Sequence, residues 1–140
     1  MKLTRYTDYA VRTVIYLANN DGRLASIAEI ARAYDISQNH LMKVVQQLAA
    51  AGFVETVRGR GGGLRLARPA DQVNVGALVR ETEGGFDLVD CSSCVAAAGC
   101  GLPRMLAEAT RAFLAVLDGY SVADISRQPD VLRHLFAQAG

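Results

Sequence analysis

The sequence predicts a mainly α-helical fold with one small β-hairpin. Three observations lead to this prediction: apolar residues recur at three- and four-residue spacing, capping residues stand before those stretches, and two short alternating runs flank a glycine-rich tip. Of the 140 residues 51% are apolar, which is enough for a packed core in one or at most two small domains.

The first third of the chain predicts three helices. A helix from about Thr7 to Asn20 follows from its apolar spacing and from the turn residues NNDGR behind it. Ser26 precedes a second helix and Glu29 stands three residues later, so that each side chain can accept from a backbone N–H at the helix start. A third helix begins after Ser37 and ends at Gly52, and its apolar stripe comprises Leu41, Val44, Val45 and Leu48.

A hairpin and further helices follow. The runs FVETV and GLRLA flank RGRGGG, which predicts two short strands with the glycines at their tip. A helix is expected from about Asn74 to Thr82, and a long amphipathic helix from Pro103 to about Leu117, with proline in its first turn. Ser121 then caps one more turn, and the tail from Pro129 is expected to be helical.

This order of elements is that of a winged helix-turn-helix, in which the third helix lies in the major groove of DNA and the hairpin reaches the backbone or minor groove. We therefore expect residues 1–83 to form a DNA-binding domain. Residues 84–102 form a cysteine-bearing loop, and residues 103–140 a dimerisation helix and C-terminal tail.

Double-stranded operator DNA is the expected partner, although the net charge is only +1. Four arginines and one acid between Val54 and Arg68 give that stretch alone a charge of +3, and two of them, Arg58 and Arg60, suit phosphates or a narrow minor groove. The candidates for contacts near the start of the third helix are Ser37, Gln38, Asn39, His40 and Lys43. The alternatives are a solvated helix start and a plain basic turn.

Other functional classes find little support. No Lys-Ser or Lys-Thr pair follows GRGGG, so the glycine run is not a phosphate loop, and no nucleotide cofactor is expected. As a DNA-binding regulator, the protein is not expected to be an enzyme. No apolar run approaches the roughly 18 residues of a membrane span, and no signal peptide is visible, so a cytoplasmic location without membrane contact is expected.

All three cysteines lie within ten residues, as Cys91, Cys94 and Cys100. Thiolates favour iron–sulfur clusters, zinc and Cu(I), and such spacings allow one loop to wrap a single centre. The loop offers no fourth Cys or His, since His40 is placed for DNA and His134 lies in the tail. A zinc-stabilised module and a thiol redox protein using CSSC, which predicts disulfide exchange without DNA affinity, stay open as alternatives.

Three stretches resemble the Rrf2 family of bacterial regulators: LTRYTDYAVR, the segment from SIAEIARAYD to GGGLRLARP, and VNVGALVRETEG before the cysteines. VDCSS and FLAVLDGYSVADI are similar to the nitric-oxide-sensing repressors of that family in particular. The resemblance implies a homodimer with an iron–sulfur cluster, 4Fe-4S or alternatively 2Fe-2S, and repression that ends when nitric oxide attacks it. Members that sense iron or cluster supply are the nearest rival assignment.

The resemblance assigns Cys91, Cys94 and Cys100 to the cluster and Asp8 of the other subunit to the fourth ligand position. The simpler interpretation of Asp8 is an ion pair with Arg12, one helical turn further on. One departure from the family is the gap between the first two cysteines, which is shorter here than the five residues expected.

The long helix from Pro103 has more apolar residues than a lone terminal helix needs. Pairing with its twin in a symmetric dimer is the expected use, and packing on its own domain is the alternative. The apolar positions are Met105, Leu106, Ala109, Phe113, Leu114 and Leu117.

Overall fold

The computed structural model describes residues 1–139 and consists of seven helices, one 3-10 turn and a two-stranded antiparallel sheet within that range. In chain order the elements are α1 (Arg5–Ala18), α2 (Ile27–Tyr34), α3 (Gln38–Ala50), β1 (Val54–Val57), β2 (Gly63–Leu66), the 3-10 turn (Ala70–Gln72), α4 (Val75–Thr82), α5 (Leu102–Asp118), α6 (Val122–Ile125) and α7 (Pro129–Ala139). The predicted winged helix-turn-helix fold is confirmed.

Local capping decides where the helices begin. The Ser26–Glu29 capping box is present in both directions, and the side chains of Ser37, Asn74 and Ser121 cap the helices that follow them. The prediction for α1 is two residues late at each end, because Thr4 Oγ1 accepts from the backbone N of Thr7 at 3.2 Å and begins the helix earlier. The 3-10 turn has no counterpart in the prediction.

A single apolar core lies between α1, α2, α3 and α4. It includes residues that are fully or almost fully shielded from solvent: Ala10, Val14, Ile30, Leu41, Leu48 and Leu78. Asp35 turns the chain sharply between α2 and α3, with a left-handed φ of 53° and its N–H bonded to the end of α2. The core thus holds α3 from one side and leaves its outer face in solvent.

The hairpin is fastened to the helical body as well as to itself. Val54 pairs with Leu66 and Val57 with Gly63, which leaves residues 58–62 as the tip. Leu64 also exchanges two backbone hydrogen bonds with Ala25, at 2.9 and 2.7 Å, just before α2. The bridge between Ala25 and Leu64 sets the position of the wing relative to α2 and α3.

The C-terminal elements return to the same body. Val122 of α6 is fully buried in the core, and its N–H donates to the carbonyl of Val73 at 2.8 Å. Phe136 of α7 packs against Tyr16 and Tyr34, with ring centroids 4.9 and 5.5 Å apart. Within the described residues, neither α5 nor α7 contains a buried residue.

Candidate nucleic-acid interface and cysteine segment

The first turn of α3 presents polar side chains to solvent. Ser37, Gln38, Asn39 and His40 are all exposed, and Lys43 is exposed one turn later. Ser37 Oγ accepts from the backbone N of His40 at 3.4 Å, which stabilises the turn that carries them. All five predicted residues are therefore solvent-exposed at or near the start of α3.

The wing presents two arginines at its tip. Gly59 and Gly61 have φ values of 95° and 76°, a left-handed conformation that side chains rarely adopt and that allows the tight return of the chain. Arg58 and Arg60 are exposed, and within residues 1–139 neither forms an ion pair. Arg65, by contrast, is paired with Glu55 at 2.9 Å. The free positive charge of the wing is therefore concentrated at its tip.

The cysteine segment is held by short-range turns. Cys91 is half-buried, whereas Cys94 and Cys100 are exposed, and all three are free thiols. The N–H of Cys94 donates to the carbonyl of Cys91 at 3.3 Å, and Asp90 accepts from the backbone N and the hydroxyl of Ser92. These two bonds lower the pKa of Asp90. The sequence places three soft ligands in one exposed segment, a donor set that fits an iron–sulfur cluster or zinc.

A closed ligand cage is not formed by this single chain: in the described range no three His, Cys, Asp or Glu side chains converge on one point. Asp8 is engaged within its own helix. Arg12 binds it through two nitrogens, Nε to Oδ1 at 3.1 Å and Nη2 to Oδ2 at 3.0 Å. The Arg12 guanidinium also lies 5.7 Å from the centre of the Tyr34 ring. The predicted local pair therefore exists within this chain.

The residues just before the cysteine segment connect α1, α3 and α4. Glu83 accepts from the backbone N of Thr4, at 3.1 and 3.2 Å, and from the hydroxyls of Thr4 and Thr7. Partial burial acts to raise the pKa of Glu83, but these hydrogen bonds outweigh it and hold the pKa below its usual range. Gln47 of α3 donates to the carbonyl of Glu81 at 2.6 Å. This network is not predictable from the sequence, because its members are up to 79 residues apart and carry no spacing signal.

Helix α5 has two different faces. Its half-buried residues include Phe113 and Leu117, which line a cavity of about 590 Å³ with Val75 and Val79 of α4. A neighbouring stripe is exposed and repeats at alternating three- and four-residue spacing, and Ala109 within it also borders the cavity. The stripe comprises Leu102, Met105, Ala109, Ala112 and Val116. The apolar set predicted from the sequence mixes these two faces.

Two more side chains, Arg5 and Tyr9 on α1, lie beside the first turns of α3 and were not predicted from the sequence. They line a small cavity with His40 and Lys43, and the hydroxyl of Tyr6 donates to the carbonyl of Lys43 at 3.0 Å. They precede Gln38, the first residue of α3, by 33 and 29 positions, a separation that offers no signal of this proximity.

The chain is similar over nearly its whole length to known transcriptional regulators. The chain is 46% identical over 142 residues to the HTH-type transcriptional regulator NsrR of Bacillus subtilis, covering 96% of this chain and 97% of that protein. It is 45% identical to NsrR of Bacillus licheniformis, covering 98% and 100% respectively.

The chain is also similar in fold to solved structures of transcriptional regulators. CymR, the global cysteine regulator of B. subtilis, matches with a TM-score of 0.70 at 25% identity, over 91% of this chain and 97% of that one. IscR of T. potens matches with a TM-score of 0.74 at 25% identity, over 91% and 87%. No helix in the described range is long and apolar enough to cross a membrane.

A family model described as Rrf2, iron-dependent transcriptional regulator, matches residues 3–128. The relatives are DNA-binding regulators and not enzymes, and the fold and the exposed α3 agree with that role. The chain belongs to the Rrf2 family of transcriptional regulators.

Proposed function

We propose that the protein is a homodimeric repressor that reads operator DNA with α3 and the wing and senses nitric oxide through an iron–sulfur cluster. One observation carries the proposal: a segment with three exposed or half-buried free thiols is joined directly to a DNA-reading winged helix. The identity of 45–46% to regulators named NsrR supports the same assignment.

The DNA-reading role of α3 is supported by exposure and charge. Gln38 and Asn39 carry amides that can pair with base edges, and they stand at the N-terminal turn of a helix whose dipole favours phosphate. Arg58 and Arg60 lie on a separate element, at the tip of the wing, where a second groove or the backbone is in reach. The interface is thus divided into base readers on α3 and charged anchors on the wing.

Cys91, Cys94 and Cys100 are the residues that would hold the cluster. When bound, the cluster supplies iron with which nitric oxide reacts, and a carboxylate is a weaker partner for iron than thiolates are. Asp8 of the partner subunit is the proposed fourth ligand. Arg12 holds this carboxylate in the single chain and would have to share or release it.

The chain contains a direct route from the cysteine segment to the DNA-reading helix. Glu83 stands just before that segment and is bonded to Thr4 and Thr7 of α1. Tyr6 of the same helix donates to the carbonyl of Lys43 on α3. Any shift of α1 is therefore passed to α3 through specific hydrogen bonds as well as through the core.

The exposed stripe of α5 supports the dimer. Met105 is 58% and Val116 is 62% exposed, which is costly for large apolar side chains on a free surface. The stripe repeats every three and four residues, the spacing with which two helices pack side by side, and Ala109 and Ala112 at its centre allow close approach. A two-fold axis through this stripe would fix the distance between the two α3 helices, and hence the spacing of operator half-sites.

Sensing of iron or of cluster supply is the second candidate. The description of the matched family as iron-dependent favours it, and so does the similarity to IscR. It requires the same cysteines and the same DNA-reading surface but a different effector.

The test combines absorption and DNA binding under anaerobic conditions. Freshly purified protein is titrated with nitric oxide while its visible spectrum and its affinity for a duplex selected from random sequence are followed. Bleaching with release of DNA at the same stoichiometry is expected. A coloured protein that keeps its DNA under nitric oxide would favour iron or cluster sensing, and a colourless protein that resists reconstitution would indicate zinc or thiol chemistry.

Variants identify the ligands. Cys100→Ser should abolish cluster loading, whereas Asp8→Ala should leave a cluster that forms but responds differently to nitric oxide. Asp87→Asn removes an exposed carboxylate of the same segment and is the matched control. If Asp8→Ala and Asp87→Asn both behave as wild type, Asp8 is not a ligand.

A further inference from the structure

A small, mainly apolar cavity between α1 and α3, beside the DNA-reading turn, has two cationic residues in its lining, Arg5 and Lys43. Its volume is about 200 Å³, and it is lined by Arg5, Tyr6, Tyr9, His40, Lys43 and Val44. Arg5 and Lys43 are exposed, and no acidic side chain within residues 1–139 forms an ion pair with either of them or with His40. Two helices from distant parts of the sequence therefore each contribute one cationic residue to the lining of the same opening.

The two tyrosines have different roles in this cavity. The hydroxyl of Tyr6 already donates to the carbonyl of Lys43 at 3.0 Å, which fixes α1 against α3. The hydroxyl of Tyr9 has no hydrogen-bond partner among the described residues, although its ring is half-buried in the wall. Tyr9 therefore offers a free donor next to the cations, on an apolar surface.

We propose that this cavity binds one sugar–phosphate unit of the DNA backbone, with Arg5, Lys43 and Tyr9 on the phosphate and the tyrosine rings against the sugar. This proposal adds Arg5 and Tyr9 to the DNA interface, and it rests on the proposed orientation of α3 towards DNA. Charge complementarity decides the occupant: cations and a neutral donor match a phosphodiester, and proximity to Gln38, Asn39 and His40 places it next to the base readers. The contact would fix the register of α3 in the groove without reading sequence.

The test uses the salt dependence of DNA binding. Removing one phosphate contact lowers the slope of log K against log salt by about 0.9, hence by about 1.8 for a dimer on two half-sites. Arg5→Gln should show this change equally on a duplex selected by the wild-type protein and on a random duplex of the same length. Tyr9→Phe keeps the ring and the charge, so it should weaken binding to both duplexes with no change of slope.

Arg127→Gln is the matched control for charge. Arg127 is exposed and follows Ser126 in the chain. The hydroxyl of Ser126 accepts a hydrogen bond at 3.3 Å from Asn19, the residue just after the end of α1. Arg127 therefore lies at the opposite end of α1 from Arg5. Its slope should equal that of the wild type. Circular dichroism of each variant verifies that the fold is retained.

Three outcomes would overturn the proposal. An Arg5→Gln slope equal to that of Arg127→Gln would show that Arg5 touches no phosphate. A loss of affinity confined to the selected duplex would make Arg5 a base reader. If calorimetry showed that inorganic phosphate binds, and Arg5→Gln abolished this binding without changing the salt slope for DNA, the cavity would be a site for free phosphate. If the wild-type protein bound neither duplex, the proposed function itself would fail.

Discussion

Replacing Glu83 with glutamine keeps the size of the side chain. It replaces the negatively charged carboxylate, which accepts hydrogen bonds from Thr4 and Thr7, with a neutral amide. The wild-type carboxylate receives the backbone N–H of Thr4 and two hydroxyls, and it joins α4 to the first turn of α1. Hydrogen bonds to a charged group contribute about 1.5–3 kcal/mol, and partial exposure to solvent reduces this contribution. Because Glu83 is half-buried and glutamine retains one acceptor oxygen, we expect a loss of about 1–2 kcal/mol, which corresponds to a decrease in Tm of about 3–8 °C.

The effect of Glu83 should depend on pH. Its pKa is lowered in the folded protein, so the folded state takes up this proton less readily than the unfolded chain. The stabilisation is therefore fully present above the unfolded pKa of about 4.3 and is lost as the pH falls through the folded pKa. Wild type and Glu83→Gln should thus differ in free energy of unfolding at pH 7 and converge in strong acid.

Urea denaturation at several pH values measures this difference. Glu108→Gln, which removes an exposed carboxylate from α5 that is in no ion pair in the described range, is the control and should be neutral. Equal stability of Glu83→Gln and wild type at pH 7 would refute the reasoning. So would a difference that persists undiminished in acid.

The remaining predictions concern the dimer, the wing and the base of α4. Val116→Glu places a charge in the exposed stripe of α5 and should shift the protein from dimer to monomer in equilibrium sedimentation; a dimer of unchanged affinity would exclude this face. Arg60→Gln should weaken DNA binding and lower the salt slope by about 0.9 per site, measured by fluorescence anisotropy, and an unchanged slope would remove the wing tip from the interface. In Gly76→Ala the new Cβ would overlap Oδ1 of Asp118 and lie 2.9 Å from the backbone N of Asp118, so the free energy of unfolding, measured by urea denaturation, should fall by about 1–3 kcal/mol. In Gly84→Ala the Cβ would lie in open space, so the same measurement should show no change.

Elements controlled by neighbouring residues were predictable from the sequence. The Ser26–Glu29 capping box, the N-caps Ser37 and Ser121 and the glycine tip of the wing depend on contacts within a few residues, and all of them form as predicted. The exposure of the predicted DNA-reading residues follows for the same reason, since an amphipathic helix that buries Leu41 and Leu48 must turn its other face outward. The Asp8–Arg12 pair is likewise local.

The tertiary structure alone decided which distant residues meet. Glu83 reaches Thr4 across 79 positions, and Arg5 and Tyr9 approach Lys43, because packing around one core brings the start of α1 beside both α3 and the end of α4. The same packing divides the apolar residues of α5 into a face against α4 and a face in solvent, a distinction that composition and spacing do not contain. Local chemistry thus determined the helices, the wing and their caps, whereas the contacts between them depend on the path of the whole chain, because a hydrogen bond between remote residues leaves no periodic trace in the sequence.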